Sequence, residues 1–101
     1  MMEKITIKLW QEAVHDNAKI HGWWETQRPV PELLCLIHSE VSEALEAYRE
    51  EDEANFREEL ADVAIRLMDM CEALGIDLEE EIFRKHLKNI KRPYRHGGKR
   101  C

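Results

Sequence analysis

Apolar side chains recur every three to four residues through four stretches of this 101-residue chain, and nowhere do they alternate as a half-buried strand requires. An all-α fold of four helices is therefore expected. The second stretch is the most telling. Projected at about 100° per residue, Leu33, Leu36, Ile37, Val41, Ala44, Leu45, Ala47 and Tyr48 share one broad arc, with Glu40 inside it and Glu43 at its edge. In the third stretch Phe56, Leu60, Val63, Leu67, Met70 and Leu74 form the stripe, with Glu59 beside it and Asp62 further round. An ionised carboxylate buried alone is costly, so Glu40 calls for a cation or strong donors nearby.

Helix signals divide the chain further. The first helix is expected from about Lys4 to His21, carrying Ile7, Trp10, Val14, Asn17, Ala18 and His21 on one stripe and ending at Gly22. Trp23 to Pro31 reads as a connector because of Pro29 and Pro31, and the second helix is expected from near Glu32 to about Glu51. The third begins near Glu53 and stops at Gly75. Asp77 caps the fourth, with Glu80 as its capping-box partner, and Leu78, Ile82, Phe83, Leu87 and Ile90 form its apolar side. From about residue 91, Pro93 and Gly97-Gly98 make an irregular basic tail.

Glu40-Val41-Ser42-Glu43 and Glu59-Leu60-Ala61-Asp62 are two acid pairs at a spacing that puts both members on one helix face. Packed side by side, the two helices offer four hard oxygen donors, a set suited to Mg²⁺ or Mn²⁺ rather than zinc. A salt-bridged acid at a helix interface is the competing explanation for Glu40. Arg66, between Asp62 and Asp69 on one face, reads as a structural ion-pair partner of those two acids, and Glu46, Glu50, Glu58 and Glu72 read as surface acids.

The length allows one domain, residues 1–101, with a single core. The longest apolar runs are too short to span a bilayer and the first residues lack a signal-peptide core, so a cytoplasmic address and no membrane partner are expected. Cys35, Cys71 and Cys101 show no metal-knuckle spacing; Cys35 and Cys71 read as packed residues and Cys101 as an exposed thiol. All 21 acidic residues precede Arg84, and 8 of the 15 Lys and Arg lie from Arg84 onward. An acidic body with a basic arm fits the joint grip of a metal ion and a polyphosphate, and disfavours nucleic acid as the main partner. Ala61, Ile65 and Met68 make the third helix apolar nearly all round, which predicts a subunit interface and at least a homodimer, with a tetramer possible.

The E-x-x-E, loop, E-x-x-D order resembles the MazG-like all-α nucleoside triphosphate pyrophosphohydrolases. The C-terminal Lys88-Asn89-Ile90-Lys91-Arg92-Pro93-Tyr94-Arg95-His96-Gly97-Gly98-Lys99 is similar to tails of the small single-domain subgroup, as are Asn17, Gly22-Trp23-Trp24 and Leu36-Ile37-His38-Ser39-Glu40. The resemblance implies a four-helix bundle completed by homo-oligomerisation and a Mg²⁺-dependent enzyme that cuts a nucleoside triphosphate between the α and β phosphates. Glu40, Glu43, Glu59 and Asp62 match the catalytic metal-binding acids. Many relatives carry an acid where this chain has Ser39, which leaves the number of metal ions open. Glu40 or Glu43 is expected to activate the attacking water. Lys88, Asn89, Arg92 and Arg95 are the candidates for phosphate, and Asn17, His21 and Trp23 for the nucleoside. Of Trp23 and Trp24, adjacent in sequence, one is expected to stack on a base while the other packs.

Two other classes compete. A di-iron bundle needs paired Glu-x-x-His motifs, and only Glu12-Ala13-Val14-His15 has that form. A non-enzymatic helical regulator using the basic tail to hold nucleic acid or a partner is the stronger rival.

Overall fold

The computed structural model describes residues 6–94, which form four helices: α1 (Ile7–Ile20), α2 (Val30–Arg49), α3 (Glu53–Ala73) and α4 (Leu78–Ile90). The described residues contain no strand, as the periodicity predicts. None of these helices is long and apolar enough to cross a membrane. The tail from Arg95, with the candidate Arg95 and the thiol of Cys101, lies outside the described residues.

Local chemistry sets each boundary. Thr6 caps α1 by accepting from Leu9 N–H at 3.2 Å, Asp52 caps α3 through Asn55 N–H at 3.1 Å, and Asp77 caps α4 through Glu80 N–H at 3.2 Å. The capping box at Asp77 is only half made, because the Glu80 carboxylate turns to Arg84 at 3.0 Å instead. The second helix starts at Val30, two residues before the expected Glu32. Pro31 falls in the first turn, where a missing N–H costs nothing, so the prolines start this helix rather than exclude it.

Three helices end alike. Gly22 (φ 81°), Glu51 (φ 59°) and Gly75 (φ 70°) occupy the left-handed position, and the amide after each bonds back to the helix: Trp23 N–H to Ala18 C=O, Asp52 N–H to Ala47 C=O, Ile76 N–H to Cys71 C=O. At the middle site, a residue with a side chain takes a conformation that suits glycine. Asp52 closes α2 and caps α3 at once, which makes the α2–α3 turn very short and the two helices an antiparallel hairpin.

The third helix is central. Both α1 and α2 pack on it, and α4 packs on α1. Its apolar circumference therefore has a partner on two sides within one chain, a reason separate from the subunit interface that the sequence predicts. Leu33, Ala44, Ala47, Met70 and Cys71 form the fully buried core, and the two alanines allow α2 and α3 a close approach. Burial pushes the Cys71 thiol up, while Cys35 is exposed, contrary to the packed position expected for it. Large apolar side chains stay uncovered in the single chain: Val41, Leu45 and Tyr48 on α2, Leu60 on α3, and Ile82, Phe83 and Ile90 on α4.

A buried polar seam joins α1 to α3. Gln11, 1% exposed, donates from Nε2 to the Ile76 carbonyl (2.7 Å) and to Glu72 Oε1 (2.9 Å), while its Oε1 accepts from Leu78 N–H (3.2 Å). Glu72 is thus half-buried and engaged rather than a free surface acid. One turn along, His15 Nδ1 lies 2.7 Å from Asp69 Oδ1, which also accepts from Trp24 Nε1 at 2.9 Å.

Candidate metal and nucleotide site

The α2–α3 hairpin brings the acid pairs together. One carboxylate oxygen each from Glu40, Glu43 and Glu59 lies within 4.8 Å of the others. Glu40 is buried at 7% exposure, Glu59 is half-buried and Glu43 faces solvent. Asp62, also exposed, is not among the three that converge, but it lines the cavity that Glu40 lines.

The three acids carry unequal loads. Arg66 Nε donates to Glu40 Oε1 at 2.7 Å, and this bond holds the Glu40 carboxyl below its usual range against the burial that would raise it. Glu59 goes the other way, to about 7, because its carboxyl is shielded from water and lies beside Glu43, Glu40 and Asp62. Its Oε2 is fully buried with no hydrogen-bond partner. A sealed, orphaned oxygen among converging carboxylates is where a cation fits, and a set of oxygens alone selects a hard ion. Glu40, Glu43 and Glu59 can therefore coordinate a divalent metal ion.

Arg66 departs from the expected pairing. Asp69 is already engaged by His15 and Trp24, and Asp62 is exposed, so the guanidinium crosses to the buried Glu40, the acid with most need of it.

Beside the acids lies a cavity of about 590 Å³, within the size range of small-molecule sites. Its walls come from α1, α3 and the connector, with Glu40 contributed by α2, and they include Asn17, His21, Trp23, Asp62, Arg66 and Asp69. All three nucleoside candidates thus border the cavity that holds two of the acids. Of the two tryptophans, Trp24 packs between His15 and Asp69, its ring 5.5 Å from the imidazole, and Trp23 borders the cavity. The Arg28 guanidinium sits 3.7 Å from the Trp23 ring centre, and that of Arg66 sits 5.0 Å away. His21 Nδ1–H donates to the Asn17 carbonyl at 2.9 Å, which fixes its ring at the end of α1.

The phosphate candidates lie elsewhere. Lys88 and Arg92 do not line this cavity, and Asn89 lines a separate one on α4 with Lys85 and His86. His38 is exposed and outside the acid cluster, in keeping with its phase on α2. The sequence pattern passes over Gln11, and it pairs Asp69 with Arg66 rather than with His15 and Trp24. The signal for these contacts is that Gln11 and His15, four apart on α1, face Asp69 and Glu72, three apart on α3.

Neither the curated proteins nor the solved structures contain a match to this chain. A family model does match, over residues 30–100, which covers α2, α3, α4 and the acid pairs together. With that span matched and the helical acid cluster in place, the chain belongs to the MazG-like family.

Proposed function

We propose that this protein is a Mg²⁺-dependent nucleoside triphosphate pyrophosphohydrolase, with Mn²⁺ as a substitute ion, releasing a nucleoside monophosphate and pyrophosphate. The observation that carries this reading is the convergence of Glu40, Glu43 and Glu59 within 4.8 Å beside a nucleotide-sized cavity, in a member of the MazG-like family.

Glu40, Glu43 and Glu59 would hold the ion, with Asp62 completing the set as the phosphates enter. A divalent cation bound there supplies neutralisation of phosphate charge and lowers the barrier to attack by water. Glu43, the exposed member, is better placed than Glu40 to orient that water and take its proton, since Glu40 is buried and committed to Arg66. The base would lie in this cavity beside Trp23, whose ring already carries the Arg28 guanidinium on one face, with Asn17 as a polar neighbour. Lys88, Asn89, Arg92 and Arg95 remain the proposed phosphate contacts, and the position of Lys88, Asn89 and Arg92 away from the cavity supports delivery from a second copy. The uncovered apolar residues of α2 and α4 supply a surface for that copy, in a homodimer or tetramer.

Pyrophosphate release from a panel of ribo- and deoxyribonucleoside triphosphates, with Mg²⁺ and with EDTA, tests the reading. Release that needs the metal and falls by at least about a hundredfold in Glu59→Gln is expected, a loss of about 2.7 kcal/mol in transition-state stabilisation. Equal rates for the wild type and Glu59→Gln would end the assignment. Salt-sensitive nucleic-acid binding without turnover would support the regulator instead.

A further inference from the structure

We propose that Arg66 is a displaceable stand-in for the divalent cation: it holds Glu40 while the metal is absent, and on metal binding it swings into the cavity to take a phosphate of the incoming ligand. This deepens the proposed function and rests on it for the identity of the ligand.

The geometry carries the argument. Arg66 Nε and Glu40 Oε1 are 2.7 Å apart, and Glu40 belongs to the three-acid cluster, so a metal ion on Glu40 would sit within a carboxylate's width of the Arg66 guanidinium. Two positive groups do not share one buried carboxylate without repulsion. The arginine is free to leave in a way that Arg28 is not. Arg28 is pinned by its bond to the Trp23 carbonyl (2.9 Å) and by Glu32 (3.7 Å), whereas Arg66 is held by Glu40. The Arg66 side chain is 32% exposed, it already borders the cavity, and the Trp23 ring 5.0 Å away gives its planar head a surface to rest on. Asp69, one turn away, already accepts from both His15 and Trp24 on its Oδ1, and Arg66 pairs with Glu40 in preference to it. Once released, the guanidinium presents its fork of donors in the cavity, a geometry suited to a phosphate. The exchange also guards the resting site, because the buried carboxylate is never left without a positive partner.

The consequence is coupling: the ion must break a bond to enter and so binds weakly alone, and phosphate that captures the freed arginine strengthens its hold. Mg²⁺ binding is measured by calorimetry at pH 8 in wild type, Arg66→Gln and Arg66→Lys, without nucleotide. Arg66→Gln is expected to bind Mg²⁺ roughly tenfold more tightly than wild type, with Arg66→Lys restoring the weaker affinity. With inorganic triphosphate and Mg²⁺ together, Arg66→Gln is expected to hold the anion roughly tenfold less tightly. In the wild type, the Arg66 Nε–H resonance should lose its hydrogen-bonded position as Mg²⁺ saturates, a readout that stands even if the glutamine variant does not fold. Unchanged or weaker Mg²⁺ affinity in Arg66→Gln, or a wild-type Nε–H signal that ignores Mg²⁺, overturns this inference alone. Absence of Mg²⁺ binding in every variant overturns it together with the proposed function.

Discussion

Replacing Gln11 by methionine keeps the volume of the side chain and removes all of its hydrogen bonds, so it isolates the polar seam between α1 and α3. Three partners are stranded: the Ile76 carbonyl, the Leu78 N–H that opens α4, and Glu72 Oε1. The two backbone groups cost about 1 kcal/mol each, at the middle of the range for hydrogen bonds in folded proteins. Glu72 is half-buried and can turn to water, so its share is discounted to about 1 kcal/mol or less. A loss of about 2–3 kcal/mol follows for Gln11→Met, and about 4–5 kcal/mol for Gln11→Ala, where a cavity is added. At roughly 4–8 °C per kcal/mol for a domain of this size, the methionine variant should melt about 10–20 °C lower. Urea unfolding is the assay, with the midpoint displaced and the slope unchanged. A loss below about 1 kcal/mol for Gln11→Met would refute the reasoning, since the amide would then contribute no more than its bulk.

At the α2–α3 turn, Glu51→Gly should raise stability by about 0.5–1 kcal/mol in urea titration, because relief of left-handed strain outweighs the extra freedom of glycine in the unfolded chain. In EDTA, Glu59 makes stability fall as pH rises from its unfolded value near 4.5 to about 7, since the folded state keeps a proton that the unfolded chain gives up; Glu59→Gln should flatten that slope in pH-dependent melts. Glu40 has the opposite sign: its lowered pKa contributes stability that is present above 4.5 and lost as pH falls below it, and Arg66→Gln should reduce that acid-side loss. Trp24→Phe should cost about 1.5–3 kcal/mol by withdrawing a donor from Asp69, while Trp23→Phe should cost far less stability, and Trp23→Ala should weaken triphosphate binding in fluorescence titration.

Features set by neighbours in sequence were legible before any coordinates. Asp77 caps α4, Gly22 and Gly75 end α1 and α3, and the phase of Glu40 within an apolar arc announces a buried acid, because each depends on residues within a turn or two. Pairings across helices were not. Arg66 has two acids within reach on its own helix and bonds to Glu40, 26 residues away, because burial rather than proximity decides which carboxylate most needs a cation. Gln11 has an ordinary surface composition, and its burial depends on partners 61 to 67 residues further along. The start of α2 departs from expectation for another reason: proline breaks helix interiors but is at home in the first turn, where Pro31 sits.

The short link between α2 and α3 acts as a ruler for the site. Counted outward from Glu51, Glu43 and Glu59 each lie eight residues away, and Glu40 and Asp62 each lie eleven. In an antiparallel hairpin, positions equidistant from the bend sit at similar heights, which brings Glu59 level with Glu43 and within reach of Glu40, while Asp62 stays at the edge of the cavity. Inserting one residue into this bend would advance α3 by about 1.5 Å and rotate it by about 100° against α2. The length of the link, more than the identity of any residue in it, sets whether three separate carboxylates amount to one binding site.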